Sequence, residues 1–292
     1  MLFMDEFMAK GAWRFMPELP EVETVRRILG PQVAGRRISK VELRRPEVVA
    51  HPSPEVFCDG VTGATFSGMG RRGKFLLLNL ADGGTIVLHL RMTGQLLVTP
   101  AGFPEEKHTH AVFHLDDGNE LRFVDTRRFG RLWLLGAGEQ DMTGMGKLGP
   151  EPFDAACCAD HLRTALGRRK KTIKECLLDQ TVVAGIGNIY ADEILYAVKL
   201  NPHRSANSLS AAEWRTLSKE IPRSLKIFIE KNAMTPEEYL AGLGKEYRNT
   251  PFLSVYGRKD LPCPRCGTPL VRAVIGGRGS HYCPHCQPDE SA

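Results

Sequence analysis

Four cysteines near the C-terminus, Cys263 and Cys266 in Cys-Pro-Arg-Cys and Cys283 and Cys286 in Cys-Pro-His-Cys, leave 16 residues between the inner pair. Two Cys-x-x-Cys pairs at that separation offer four thiolates to one tetrahedral Zn2+ on facing turns. His281 and His285 lie near enough in sequence to replace a thiolate, but the four-cysteine set is simpler. A second chemical stretch is Met16-Pro17-Glu18-Leu19-Pro20-Glu21. If translation starts at Met16 and that methionine is trimmed, Pro17 becomes an N-terminal secondary amine. Such an amine titrates about two units or more below a lysine, so far more of it is unprotonated near pH 7. It can attack an aldehyde or a sugar C1′ to give a cationic iminium, an electron sink that favours elimination. Glu18 is the adjacent acid or base. Left in an amide, the same residues only start a helix: the acids suit the positive end of the dipole and Pro20 an early helical position.

Three further groups of residues have chemical character. Gly185-Ile186-Gly187 precedes a helix with Asn188 as its expected N-cap, a turn that presents backbone amides to an anion, and the preceding helix is expected to carry the basic cluster with Lys170. His89-Leu90-Arg91-Met92-Thr93-Gly94 and Asp125-Thr126-Arg127-Arg128-Phe129-Gly130 both follow a strand and end in glycine. Either they hold ordinary core residues at strand ends, or Met92 and Phe129 stand on loops as apolar wedges beside an arginine, suited to fill the space left by an extruded base. His108 and His110 have metal-ligand spacing without an acid or cysteine nearby, which favours phosphate contact or plain surface.

Several elements must position these residues. Leu19, Val22, Val25 and Leu29 recur at helical spacing, and Gly30-Pro31 is expected to close that helix. From about residue 35 to 135 the text is strand-like. Hairpins are expected at Lys74–Leu80 with Thr85–Leu90 and at Ala111–Leu115 with Glu120–Val124, implying an antiparallel sandwich or barrel. After Gly149-Pro150-Glu151-Pro152, apolar stripes predict helices over 160–166, 172–179, 188–198 and 211–231. Between the cysteine pairs, Val271–Ile275 and 280–282 read as a hairpin with Arg278 in a four-residue tip, Gly276-Gly277-Arg278-Gly279, a rigid way to hold a cation against a phosphate. The 292 residues suffice for two domains, and the net charge of +5 hints at a polyanionic partner mainly through clusters at Arg71-Arg72-Gly73-Lys74, Arg127-Arg128 and 168–171 with Lys174. No apolar run reaches the roughly 18 residues of a membrane helix, so a cytoplasmic address without a membrane partner is expected, and the scattered cysteines are expected to be reduced.

PELPEVET, RRGKFLLL, the HLRMTG and DTRRFG pair, AGIGNIYADE and the VYGRKD-to-CPHCQ segment occur in one order from Met16 to about Gln287, and on these the chain resembles the formamidopyrimidine-DNA glycosylases. The resemblance implies an α+β, two-domain fold: an N-terminal antiparallel β-sandwich with an N-terminal helix, over 16–147, then a helix-two-turn-helix domain over 148–250 and a zinc finger over 251–288. Residues 1–15 are expected to lie outside the fold and to be absent from the active form. It implies a monomeric enzyme acting on double-stranded DNA with oxidised or abasic sites, and one structural Zn2+. In that likeness Pro17 is the Schiff-base nucleophile and Glu18 the acid that assists at the deoxyribose. Lys74 is the strand-end lysine for phosphate contact and proton transfer. Arg278 grips the phosphate beside the lesion and assists the second elimination. Met92, Arg127 and Phe129 are inserted residues, with Arg127 facing the orphaned cytosine; Asn188 and His108 contact the backbone, while Lys170, from the basic cluster, is a further DNA-binding candidate. Two departures stand out: 15 residues precede the methionine, and Gly244–Phe252, where relatives carry a lesion-capping loop, lacks a second glycine. An endonuclease VIII-like pyrimidine glycosylase and a catalytically dead damage binder with Pro17 locked in an amide are the alternatives.

Overall fold

The computed structural model describes residues 16–289, so the expectation about residues 1–15 lies outside the described residues. The described residues form two compact units: a β unit of Glu21–Gly144 with Ala233–Tyr247, and a helical unit of Met145–Asn232, residues 248–289, and Glu18–Pro20.

Helix α1 (Leu19–Val33) buries Val22, Val25, Leu29 and Val33 completely or nearly so. It does not close at Gly30-Pro31. Pro31 lies within its last turn, where one lost i→i−4 bond costs little, and the Ala34 amide still reaches the Gly30 carbonyl at 3.1 Å. Strands β1 (Ile38–Leu43), β7 (Thr109–Leu115), β8 (Glu120–Asp125) and β6 (Gly94–Thr99) form one sheet in the order β1-β7-β8-β6. Strands β2 (Val49–His51), β9 (Arg131–Leu135), β5 (Thr85–His89), β4 (Phe75–Leu80) and β3 (Phe66–Arg72) form the other, in the order β2-β9-β5-β4-β3. All pairings are antiparallel except the short β2–β9 edge. Alternate residues face inward, so Leu76, Leu78, Ile86 and Leu88 of one sheet share a core with Phe113, Leu121 and Phe123 of the other, each burial stabilising by about 1.5–3 kcal/mol. A short helix, α2 (Pro54–Val61), interrupts the region read as strands. Ser53 caps it, and Phe57 and Val61, four residues apart, point into the same core.

In the helical unit, α3 (Ala159–Leu166), α4 (Ile173–Leu177), α5 (Asn188–Ala197) and α6 (Ala211–Lys231) match the expected stripes. Capping boxes Thr172/Glu175 and Ser210/Glu213 start α4 and α6. Helix α7 (Pro236–Ala241) belongs to the β unit, where the Tyr239 hydroxyl donates to the Leu96 carbonyl at 3.1 Å. Strands β10 (Val271–Ile275) and β11 (Arg278–Tyr282) make the finger hairpin. Its tip has two residues, not four: Gly276 and Gly277 both take positive φ, and Arg278 already pairs with Ile275 as the first residue of β11. No described helix is long and apolar enough to cross a membrane.

Candidate functional site

In the β unit, strand register sets two loops side by side. Gly94 pairs with Asp125 across β6–β8, and His89 with Arg131 across β5–β9, so the 90–93 and 126–130 loops leave neighbouring strand ends. Met92 is 36% and Phe129 49% exposed, which excludes the reading of both as ordinary core. The Arg127 guanidinium lies 4.9 Å from the centre of the Phe129 ring and its Nη1 2.9 Å from Met92 Sδ, so the three side chains form one exposed cluster. Each loop carries a non-glycine residue in left-handed conformation, Arg91 (φ 57°) and Arg128 (φ 63°), at about 1–2 kcal/mol apiece.

What holds these turns is Asp125, which is fully buried. Its Oδ1 accepts from the Thr93 hydroxyl at 2.5 Å and the Arg127 amide at 3.1 Å; its Oδ2 accepts from the Gly130 amide at 2.8 Å. The Thr93 oxygen also accepts from the Arg127 amide at 3.0 Å. The glycines that end the loops are required by close approach: a Cβ on Gly94 would fall 2.4 Å from the Leu90 carbonyl oxygen, and one on Gly130 2.5 Å from Phe123. His108 is half-buried, and its carbonyl accepts from the Asp125 amide at 3.0 Å. His110 is buried with Nε2 2.7 Å from the Asp125 carbonyl, and burial pushes its pKa down.

Lys74 is not in a strand. It occupies the two-residue β3–β4 turn with Gly73, because Arg72 pairs with Phe75. Its charge reaches His89: burial first, then Arg91 and Lys74, hold the His89 imidazole down at about 3. Neutral His89 accepts the Arg91 amide on Nδ1 at 3.0 Å. Arg71, beside Lys74 in sequence, is committed to Glu23 at 3.2 Å and to the Gly73 carbonyl at 2.9 Å. Pro17 is buried just before α1.

In the helical unit the Gly-x-Gly turn departs from expectation. Gly187 is the N-cap of α5, Asn188 its first helical residue, and the anion at its amides is the chain's own Glu18. The 1%-exposed Glu18 carboxylate accepts from the amides of Gly187 at 2.8 Å, Ile189 at 3.0 Å and Tyr190 at 3.4 Å. Asn188 Nδ2 instead donates to the Gly279 carbonyl at 2.9 Å, one residue from the exposed Arg278. The basic cluster lies on the α3–α4 loop rather than on a helix, with Lys170 exposed. Lys174 does not join it: wholly buried, its Nζ pairs with Asp192 at 2.6 Å and donates to the Gly279 carbonyl at 3.2 Å. Burial pushes the Lys174 pKa down against the pull of Asp192. The Asp192 carboxylate also accepts the His281 amide at 2.8 Å, and buried Glu193 accepts three amides, those of Ser254, Val255 and Tyr256, at 2.8–2.9 Å. Helix α5 thus anchors both the hairpin and the chain leading to it.

The four cysteine sulfurs lie within 4.8 Å of one another, the only such metal-ligating group among the described residues. Cys263–Cys286 at 3.9 Å and Cys266–Cys283 at 3.5 Å approach the ~3.8 Å edge of a tetrahedron with Zn–S bonds near 2.3 Å. Amides of Arg265 and Cys286 point at the sulfurs of Cys263 and Cys283 at 3.4 and 3.3 Å, and the Tyr196 hydroxyl lies 3.3 Å from Cys263. Such donors suit thiolates, and the finger takes one structural Zn2+.

Three family models match in sequence: the formamidopyrimidine-DNA glycosylase N-terminal domain over 16–132, the glycosylase H2TH domain over 148–249, and the zinc finger found in FPG and IleRS over 260–288. The Desulforamulus reducens formamidopyrimidine-DNA glycosylase is 46% identical over 274 residues, 93% of this chain and 99% of its own. The chain belongs to the formamidopyrimidine-DNA glycosylase family. The Symbiobacterium thermophilum relative is also 46% identical, over 94% of this chain and 90% of its own. A Lactococcus lactis Fpg solved with DNA containing an oxidised pyrimidine matches with a TM-score of 0.86 at 34% identity, covering 94% of this chain and all of that one. The same protein with abasic-site DNA gives 0.84 at 33%, over the same shares of the two chains. Within this family the chain is an enzyme, a DNA glycosylase of base excision repair. Residues missed in sequence are Asp125, Thr93, Asp192 and Glu193, and Lys174 was wrongly grouped with the exposed basic cluster. Only Asp125 carried a signal, an acid at a strand end before an arginine-rich turn.

Proposed function

We propose that Pro17 and Glu18 carry a two-stage reaction on duplex DNA: removal of an oxidised purine such as 8-oxoguanine or a formamidopyrimidine, then cleavage of the abasic strand. The Pro17 nitrogen, as a free amine, attacks C1′ of the damaged nucleotide; the bond from C1′ to the base breaks and the base leaves with a proton. The C1′–O4′ bond then breaks, O4′ taking the proton that Glu18 supplies, and the ring-opened iminium acidifies C2′. Loss of the C2′ proton expels the 3′ phosphate, and a second elimination expels the 5′ phosphate. Glu18 supplies the proton at the deoxyribose, Lys74 contacts phosphate and moves protons, and Arg278 grips the flanking phosphate and assists the second elimination. Met92, Arg127 and Phe129 fill the gap left by the extruded base, with Arg127 toward the orphaned cytosine. His108, Lys170 and Asn188 meet the backbone. The enzyme works as a monomer in the bacterial cytoplasm, on the nucleoid.

The observation that carries this reading is the Met92–Arg127–Phe129 cluster: two large apolar side chains kept in solvent beside a guanidinium, as insertion into a base stack requires. The test uses protein beginning at Pro17. It should form a borohydride-trapped adduct with abasic DNA, and Pro17→Gly should retain part of the activity because glycine still offers a terminal amine. Protein in which residues 1–16 remain attached should bind without trapping, since an amide nitrogen has no free lone pair. Equal trapping by both forms would move the nucleophile to a lysine such as Lys74. Because the Lactococcus lactis relative was solved with both an oxidised pyrimidine and FapydG, the excision panel includes both lesions.

A further inference from the structure

We propose that Asp125 and Thr93 form a brace that makes the 90–93 and 126–130 loops insert as one wedge, which makes both of them positioning residues for base extrusion. The inference rests on the insertion role given above to Met92, Arg127 and Phe129.

The β5–β9 and β6–β8 ladders fix the ends of the two loops, but between those ends each would bend on its own without a side-chain link. The links that join them are few. Thr93 Oγ1 stands at the centre, donating to Asp125 Oδ1 at 2.5 Å and accepting the Arg127 amide at 3.0 Å. Asp125 closes its own loop at both ends, through the Arg127 amide at 3.1 Å and the Gly130 amide at 2.8 Å. The exposed side chains meet only through Arg127, whose guanidinium touches Met92 Sδ and the Phe129 ring. An exposed contact of that kind gives way when a base pair enters between the side chains; the brace beneath it is buried, Thr93 at 8% and Asp125 at 0% exposure, and survives insertion. A charge-assisted bond in a dry site is stiff. Force on Phe129 is then carried to Met92 through the backbone of Arg127, the carboxylate and the Thr93 hydroxyl.

Asp125→Asn is the direct variant, but it puts an amide donor against the Gly130 or Arg127 amide and endangers the fold. Thr93→Val keeps shape and removes only the link between the loops; Thr93→Ser restores the hydroxyl. The experiment measures excision of an oxidised purine from duplex and cleavage of a preformed abasic site, for Met92→Ala, Phe129→Ala and both together, in wild-type and Thr93→Val backgrounds. With the brace intact the two alanine effects on excision should be non-additive by at least fivefold. In Thr93→Val they should multiply, excision itself should fall about tenfold more than abasic-site cleavage, and Thr93→Ser should recover most of it. Unchanged non-additivity in Thr93→Val, equal losses on the two substrates, or no recovery by Thr93→Ser overturns the brace. If Phe129→Ala alone shows no preferential loss on the lesion duplex, the insertion role itself fails, a result distinct from failure of the brace.

Discussion

In the β unit, Met92 and Phe129 stand in solvent on strained turns tied down by a buried carboxylate, Asp125, whose partners are a hydroxyl and backbone amides. In the helical unit the reverse holds: Lys174, Asp192 and Glu193 are themselves buried so that a hairpin and its approach are held, and the functional candidate they support, Arg278, is a cation in solvent. Both regions place one exposed group by desolvating others. They differ in cost on failure. Loss of a bond from a hydroxyl to Asp125 still leaves that carboxylate two amides, whereas loss of Lys174 leaves a buried carboxylate without its counter-ion. The helical unit should therefore respond to substitution through stability, and the β-unit loops through DNA chemistry.

The largest break in this comparison is metal removal. Structural zinc contributes roughly 10–16 kcal/mol to the order of a finger, so Cys266→Ser or chelation should melt the hairpin before the rest of the chain. DNA binding and strand cleavage should fall together, because the hairpin carries Arg278. Metal analysis of reduced, freshly purified protein should give one zinc per chain; a value near zero would end the assignment.

Next comes the buried pair. Lys174→Met leaves Asp192 uncompensated and should lower stability by about 3–5 kcal/mol. Adding Asp192→Leu should recover part of this, limited by the His281 amide that then lacks its acceptor. Denaturant midpoints for the single and double variants decide it. A single-variant loss under about 1 kcal/mol would show that the pair is not desolvated as its burial implies.

This contrast also explains what could be read from the sequence. Periodicity revealed α1 and α3 to α6, because stripes such as Trp214, Leu217, Ile221 and Leu225 report a one-sided core, but not the short α2 and α7; it revealed the hairpins because turn residues punctuate them. The zinc set was legible because ligand spacing is local. Lys174 was not: in the text it continues a basic run, and only its long-range partners, Asp192 and Gly279, give its place away. Glu18 filling the α5 amides was hidden for the same reason, as donor and acceptor lie about 170 residues apart. Met92 and Phe129 look like core residues until the register that aligns their loops is known.

A smaller effect separates stability from function in the loops. Phe129→Ala should change unfolding by no more than about 0.5 kcal/mol, because the ring is half exposed. Excision from a lesion duplex should nevertheless fall by about tenfold or more relative to cleavage of a preformed abasic site, since only the former bears the few kcal/mol of unstacking. Equal losses on both substrates, with a matching drop in stability, would make Phe129 a packing residue and erase the contrast between the units.

The last effect concerns pH and tests whether the strained Met92 loop depends on a neutral histidine. His89 accepts the Arg91 amide on Nδ1, and burial together with the charges of Arg91 and Lys74 holds it near 3, below its ordinary value of 6.5. A base whose folded-state pKa is depressed binds fewer protons folded than unfolded, so its contribution to stability is complete above about pH 6.5 and is lost as pH falls toward 3. At pH 5.5 the loss should reach up to about 1.4 kcal/mol, the equivalent of one pKa unit. His89→Asn keeps an acceptor at the δ position and does not titrate. Unfolding curves between pH 7.5 and 4.5 should converge on acidification, the wild type losing stability faster. Over the same range Met92→Ala should not alter the wild-type slope, because the methionine is displayed by the turn rather than holding it. Parallel slopes for wild type and His89→Asn would mean that the ring is solvated enough to protonate in place, and that the Arg91 turn is held by Asp125 and Thr93 without help from His89.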